Sequence, residues 1–162
     1  MNLYEELVEL VKVLEDFGLD YALCGGVALA FHGHPRFTKD IDLLVREEDL
    51  EKVPAASCGF TVEGGRVPIR PGKPDEPIIH RVSKISGSEI LTLDLMLVNP
   101  GLEGVWNGRG VFEWKGRQVR AVSRDGLAQM KRLAGRKQDL ADIEQLEAHE
   151  DEESKDTGEK NS

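Results

Sequence analysis

Two aspartates stand two residues apart in the apolar run from Asp40 to Val45 (DIDLLV), where their type and spacing suit the binding of a cation. Alternate residues of a strand point to the same side, so both carboxylates, of Asp40 and Asp42, would face one side of a sheet. Asp94, between two leucines in a second apolar run, would add a third carboxylate from another strand. Carboxylate oxygens are the ligands that hard divalent cations prefer, and a charge in so apolar a run requires a partner.

A glycine pair, Gly25 and Gly26, precedes the aspartates at the end of another short apolar run. A strand, a Gly-Gly turn and a helix start together present backbone N–H groups to an anion, because glycine permits close approach and the helix dipole favours negative charge. The pattern predicts a phosphate site. Taken singly, each feature also has a purely structural explanation, as a turn, a solvated strand edge or an edge residue that faces water.

In this order, the features resemble the DNA polymerase β-like nucleotidyltransferase superfamily, whose pattern is an apolar strand, Gly-Gly or Gly-Ser, a short helix, Asp-x-Asp and a later acidic residue. The 13 residues between Gly26 and Asp40 are at the long end of that range. The sequence GGVALAFHG, followed by Arg36, Thr38 and DIDL, is most similar to the sequences of AbiEii-type toxins. Residues 127–131 and 136–143 also resemble their C-terminal helical motif. The resemblance covers residues 20–45 closely and 90–145 more loosely.

The resemblance implies an α+β fold, with a mixed β-sheet flanked by helices and a short C-terminal helical segment. It implies an enzyme that transfers a nucleoside monophosphate from a nucleoside triphosphate to a hydroxyl of an RNA, a protein or a small molecule. Two Mg²⁺ or Mn²⁺ ions would be held by three catalytic carboxylates: Asp40, Asp42 and Asp94. The nucleotide would be bound by a second set of residues: Gly25, Gly26, Arg36, Thr38 and Lys131.

Lys131 has two interpretations. The resemblance makes it a phosphate-contacting base, with Asp139 or Asp142 orienting either Lys131 or the nucleotide. Alternatively, these residues form a charged, solvated helix face with i, i+3 and i, i+4 pairs.

Histidines and cysteines give little support for a zinc site or a disulfide framework. His32 and His34 lack the spacing of a helical zinc pair, and neither Cys24 nor Cys58 completes a site, so we interpret the histidines as surface or capping residues and the cysteines as free thiols. His80 would lie on a strand and could point into the cleft, but packing within the sheet is the favoured interpretation.

The net charge of −9 argues against a nucleic-acid partner, but the charge is unevenly placed. Residues 150–162 hold six acids and two lysines, whereas residues 109–137, the basic segment, hold nine Lys or Arg and two acids. Trp106 and Trp114 flank this segment, where they would stack on bases or, as we favour, cover a core edge. We predict one domain over residues 1–149 and a disordered acidic tail over 150–162.

The elements that must position these residues follow from hydrophobic spacing. It predicts helices over 3–17, 27–32, 47–53, 123–134 and 140–146, and strands over 21–24, 41–45, 78–85, 90–98, 111–114 and 118–122. Four prolines in residues 68–77 predict a surface loop. No apolar run reaches the roughly 18 residues of a membrane span, and residues 1–6 lack a signal-peptide layout, so we expect a cytoplasmic protein without a membrane partner.

Two classes of function remain open. The leading hypothesis is the enzyme, with an antitoxin or another protein as partner. The alternative is a module that holds nucleotide or RNA in the same cleft without chemistry, for example as a component of a toxin–antitoxin pair. Three mutually repelling acids favour the enzyme, since a site without catalysis has no physical need to keep them together. A metal-dependent phosphohydrolase would need more histidine and carboxylate ligands.

Overall fold

The computed structural model describes residues 1–35, 38–68, 77–114 and 116–159. Side chains are described for the same residues except 67–68 and 149–159. The α-helices are α1 (Leu3–Asp16), α2 (Gly25–Phe31), α3 (Glu103–Asn107), α4 (Arg124–Ala134) and α5 (Lys137–Glu159). The strands are β1 (Ala22–Cys24), β2 (Asp40–Val45), β3 (Val62–Pro68), β4 (Ile78–Ser86), β5 (Glu89–Leu97), β6 (Gly110–Trp114) and β7 (Arg117–Ala121). Short 3-10 helices occupy Glu47–Lys52, Ala55–Cys58 and Pro100–Leu102.

The strands form one mixed sheet in the order β3-β4-β5-β2-β1-β7-β6. Strand β2 runs parallel to β5, and β1 runs parallel to β7, while the other neighbours are antiparallel. The predicted α+β architecture, a mixed sheet flanked by helices, is therefore confirmed.

Apolar side chains bury both faces of the sheet. On one face, α1 contributes four fully buried residues, Leu7, Leu10, Val11 and Leu14, and β2 contributes Ile41 and Leu43. On the other face, α2, α3, α4 and α5 pack around the alternate residues of the strands, such as Ala22, Cys24 and Leu44. Because side chains alternate along β2, Asp40 and Asp42 lie on this second face.

Several elements differ from the sequence-based predictions. Strand β3 and helix α3 were not predicted, and the acidic segment after β2 forms a 3-10 helix. Gly64 and Gly65 interrupt the apolar alternation of β3, and a register shift lies between Glu63 and Gly65. Most of the predicted proline-rich loop, residues 69–76, lies outside the described residues.

The C-terminal segment also differs from expectation, since α5 continues to Glu159 instead of ending before residue 149. Its sequence beyond residue 147 is dominated by charged residues such as glutamate, which favour helix, and a helix already begun is easily propagated. In the part of the chain that the structure describes, no helix has the length and apolar character needed to cross a membrane.

Candidate active site

Asp40, Asp42 and Asp94 line a single cavity of about 630 Å³. Cys24 on β1 pairs with Asp42 on β2, which in turn pairs with Asp94 on β5, so the two carboxylates are immediate cross-strand neighbours. Asp40 begins β2, two residues before Asp42. The structure thus brings together the three acids that the sequence singled out, on one side of the sheet.

The glycine pair forms the wall of this cavity beside β2. Helix α2 begins at Gly25 directly after β1, and Gly25 has a φ of +64°. A Cβ at Gly25 would lie only 2.1 Å from Oδ2 of Asp42, and a Cβ at Gly26 would lie 3.0 Å from Cβ and Oγ1 of Thr38. Glycine is required at the first position because any side chain would occupy the place of the Asp42 carboxylate.

Thr38 closes the same wall. Its Oγ1 donates to the Asp40 carbonyl at 3.3 Å and accepts from the Asp40 N–H at 3.4 Å, which ties it to the start of β2. Arg36, another predicted nucleotide-binding residue, lies outside the described residues.

Burial and neighbouring acids act on both β2 carboxylates. Burial, followed by the charges of Asp94 and Asp40, raises the pKa of Asp42 to about 7. Burial and then Asp94 also raise the pKa of Asp40. Burial is thus the larger cause of both raised pKa values, and repulsion between close carboxylates is the second.

Arg81 is a cavity residue that the sequence reasoning missed. It lies on β4 opposite Asp94, with Nε donating to Oδ1 at 2.8 Å and Nη2 donating to Oδ2 at 2.9 Å. The sequence signal for Arg81 is the hairpin between β4 and β5. A turn that pairs Ile85 with Ile90 also places Arg81 opposite Asp94.

Lys131 lies at the other side of the cavity, between α4 and α5. Its Nζ is 2.8 Å from Oδ2 of Asp142 and 3.9 Å from Oδ1 of Asp139. Lys131 is 5% exposed, and both aspartates are 2% exposed. The alternative of a solvated helix face is therefore wrong for these three residues. Gln138 donates to Asp142 at 2.8 Å, and Arg136 Nε donates to Asp139 at 2.7 Å.

Acidic residues elsewhere in the chain form ion pairs with several arginines of the basic segment. Asp20 binds both Arg109 and Arg120, and further ion pairs join Arg117 to Glu15 and Arg132 to Glu147.

Of the two tryptophans flanking the segment, Trp106 is buried in the core and Trp114 is partly buried against it. Trp106 is 4% exposed beneath the Arg109 guanidinium, which lies 4.0 Å from its ring centroid. Trp114 packs near Tyr4 and Phe31. The core-edge interpretation of the tryptophans is confirmed.

Structural roles account for two of the histidines. His32 is the C-cap residue of α2, and its buried Nε2 donates to the Val122 carbonyl at 2.9 Å. Burial lowers the pKa of His32. His80 on β4 lies with Nε2 3.1 Å from Oε2 of Glu63 on the neighbouring strand. The free thiol of Cys24 is buried, and burial raises its pKa well above the usual value.

The three acids fit a hard cation in their chemistry, since they offer carboxylate oxygens alone and Asp42 carries a charge that the raised pKa marks as poorly compensated. Among the residues that the structure describes, however, no group of three or more His, Cys, Asp or Glu is arranged to hold a metal ion. Both oxygens of Asp94 are engaged by Arg81. Arg81 and a cation would therefore compete for the oxygens of Asp94.

Comparison with known families agrees with this geometry. The model of the family described as nucleotidyl transferase AbiEii toxin, type IV TA system, matches residues 10–78. That range includes the glycine pair and Asp40 and Asp42, and the resemblance to AbiEii-type nucleotidyltransferases is confirmed. No curated protein matches the chain.

Three solved structures are similar in fold. The lincosamide antibiotic adenylyltransferase LnuA, with lincomycin bound, is 18% identical over 88% of this chain and 95% of that chain, with a TM-score of 0.54. A putative nucleotidyltransferase, TM1012, from Thermotoga maritima is 17% identical over 94% and 96%, with a TM-score of 0.57. ANT(2″)-Ia in complex with adenylyl-2″-tobramycin is 15% identical over 86% and 85%, with a TM-score of 0.50. The polymerase β-like nucleotidyltransferase fold is confirmed.

Proposed function

We propose that this chain, which has the nucleotidyltransferase fold, transfers a nucleoside monophosphate from a nucleoside triphosphate to a hydroxyl of an acceptor. The observation that carries the proposal is the convergence of Asp40, Asp42 and Asp94 on the cavity whose wall is formed by Gly25 and Gly26. Asp94 is buried, Asp42 is half-buried and Asp40 is exposed. Carboxylates so close together weaken the fold unless a positive charge compensates them, so their presence favours a role in binding a cation.

Each cavity residue has a defined part in this reaction. Gly25 and Gly26 leave room for phosphate oxygens to approach the backbone, and the Thr38 hydroxyl stands beside Gly26. Asp40 and Asp42 present their oxygens from one strand, and Asp94 presents its own from the next. Two Mg²⁺ or Mn²⁺ ions held by these acids would neutralise triphosphate charge and favour loss of the acceptor's hydroxyl proton.

Lys131 suits contact with a phosphate. An ammonium group has three donors, and the contact with Asp142 at 2.8 Å uses one of them. Asp139, at 3.9 Å, is beyond hydrogen-bond distance and holds the charge in place electrostatically. Two donors therefore remain for a phosphate oxygen at the cavity.

The acceptor is a hydroxyl of an RNA, a protein or a small molecule. The matching family is named for a toxin, and the similar structures include an adenylyltransferase of lincosamide antibiotics. We therefore include antibiotics among the acceptors to be tested, and an antitoxin among the partners. A cytoplasmic location accompanies this proposal.

A second candidate function is supported by the contact between Arg81 and Asp94. Arg81 already neutralises Asp94, so this carboxylate needs no cation. That arrangement suits a non-catalytic module that binds nucleotide or RNA. In the enzyme, Asp42 is needed for nucleotidyl transfer. In the binding module, Asp42 is needed neither for transfer nor for binding.

The decisive experiment compares wild type with Asp42→Asn and with a control, Asp16→Asn. Asp16 is an exposed residue at the end of α1, so the control matches the loss of one carboxylate charge. Each protein would be incubated with each α-labelled nucleoside triphosphate, Mg²⁺ or Mn²⁺, and separate pools of RNA, protein and antibiotic. Wild type and the control should label one pool, which identifies the acceptor class, and Asp42→Asn should label none.

Thermal melting without a cation separates catalysis from folding. Asp42→Asn should melt at or slightly above the wild-type temperature, because the substitution removes a buried charge that neighbouring acids repel. Transfer by Asp42→Asn close to the wild-type rate would disprove the catalytic role. Nucleotide binding without transfer by any of the three proteins would support the binding module instead.

A further inference from the structure

Arg81 and Asp94 face each other across the antiparallel strands β4 and β5, and the guanidinium engages both oxygens of the carboxylate, at 2.8 and 2.9 Å. These oxygens are the atoms that Asp94 would offer to a cation under the proposed function. We propose that Arg81 is a built-in competitor for Asp94, which neutralises this carboxylate in the cation-free protein and leaves it when a divalent cation binds.

Unequal exposure makes Arg81 the partner that moves. The side chain of Arg81 is 42% exposed, whereas that of Asp94 is 8% exposed. A long arginine side chain can swing its charged end into water at little cost, and the guanidinium is then rehydrated. The backbone of Asp94 is held within the sheet, because β5 lies between β4 and β2.

The surrounding charge makes a cation the natural replacement for Arg81. Asp42 is the cross-strand partner of Asp94 on β2, and Asp40 belongs to the same strand. Loss of Arg81 without replacement would leave three carboxylates at one cavity, where like charges disfavour joint ionisation. A divalent cation supplies the missing positive charge, so Arg81 and the cation are alternatives at Asp94.

Gly64 provides a second observation, because it makes room for the stem of Arg81. It lies at the register shift in β3, beside β4. A Cβ at Gly64 would stand 2.9 Å from Cγ and 3.1 Å from Cβ of Arg81, closer than side chains ordinarily pack. These first carbons cannot give way without movement of β4. Gly64 therefore keeps open the space from which the guanidinium reaches Asp94.

The inference rests on the proposed function, because it needs Asp94 as a cation ligand, and its test is direct binding of Mn²⁺ in the absence of nucleotide. Calorimetric titration and melting with and without Mn²⁺ would compare wild type, Arg81→Met and Arg120→Met. Arg120 is a matched control, since its side chain is 49% exposed and pairs with Asp20 rather than with a cavity acid.

Removal of the competitor should strengthen cation binding. Arg81→Met should bind Mn²⁺ about two- to fivefold more tightly than wild type, the scale expected for losing a partly exposed ion pair. The variant should melt at a lower temperature without the cation and gain more stability from Mn²⁺. Arg120→Met should bind Mn²⁺ as wild type does.

The outcomes separate this inference from the proposed function. Mn²⁺ binding that is present in wild type, lost in Asp42→Asn and unchanged or weaker in Arg81→Met would overturn the competitor role and leave the proposed function standing. Failure of wild type to bind Mn²⁺ would overturn both. If Arg81→Met does not fold, the same measurements on Arg81→Lys and Gly64→Ala test the inference. Both substitutions disturb the pair of hydrogen bonds between Arg81 and Asp94. Tighter binding by them supports the inference, and unchanged or weaker binding overturns it.

Discussion

The carboxylate of Asp42 occupies the space that a side chain on Gly25 would need, with Oδ2 2.1 Å from the position of a Cβ at that residue. Gly25→Ala should therefore displace the Asp42 carboxylate and reduce nucleotidyl transfer by about 100-fold or more, the scale of a misplacement near 1 Å in an active site. Activity assays and unfolding in urea would measure the effects on transfer and stability.

Gly18→Ala is the control for this substitution. Gly18 has a φ of +67°, close to the +64° of Gly25, but a Cβ at Gly18 would meet nothing within 4 Å. Backbone strain should cost both variants about 1–2 kcal/mol. Gly25→Ala should lose more stability than Gly18→Ala because its Cβ also clashes with Asp42, and only Gly25→Ala should lose activity. Equal activity in the two variants would show that Gly25 does not position Asp42.

Lys131 should contribute more to folding than its neighbour Arg132. Lys131→Met would leave the buried Asp142 without its ammonium partner, at a cost of about 3–5 kcal/mol, whereas Asp139 would keep its contact with Arg136. Arg132 pairs with Glu147 at a site where both side chains are 55% exposed, so Arg132→Met should cost about 0–1 kcal/mol. Unfolding in urea would measure both. Equal losses would mean that a group other than Lys131 neutralises Asp142.

Local rules predicted the elements that carry the site. Ser123 caps α4 by accepting from the Gly126 N–H at 3.0 Å, at the start of the helix predicted over 123–134. The apolar runs around Asp42 and Asp94 identified β2 and β5, because residues buried in a central strand leave an apolar signature. These signals depend on neighbours in sequence, and they survive in a single chain.

What the sequence could not supply depended on contacts between distant elements. Lys131 and Asp142 are 11 residues apart in sequence on two different helices, and only the packing of α4 against α5 brings them together and buries them. Strand β3 gains its partner from β4, while Gly64 and Gly65 remove the alternation that would reveal it. Charge composition was misleading in the same way, since Asp20 neutralises two arginines of the basic segment from about 90 to 100 residues away.

The tail should be dispensable for folding. The buried residues of α5 include Ile143 and Leu146, which both precede residue 149, and residues 150–162 contain no apolar side chain to add to the core. Truncation after His149 should leave the melting temperature nearly unchanged. Leu146→Ala in the full chain is the contrasting variant and should cost about 2–5 kcal/mol. A large loss on truncation would show that the tail docks on the folded domain.

His32 should make the stability of the protein depend on pH in mildly acidic solution. Burial lowers the pKa of His32 in the folded state below the usual 6.5, so the unfolded chain binds the proton more readily. The stabilising effect of neutral His32 is complete above pH 6.5 and is lost as the pH falls towards the lowered value. His32→Gln retains a donor for the Val122 carbonyl but does not titrate. The variant should be less stable than wild type at pH 8, because it loses ring packing against Phe112. That stability gap should stay constant from pH 7.5 to 8.5 and narrow as the pH falls to 5, as measured by unfolding in urea at each pH. A gap that remained unchanged down to pH 5 would mean that His32 takes up its proton equally well in the folded protein.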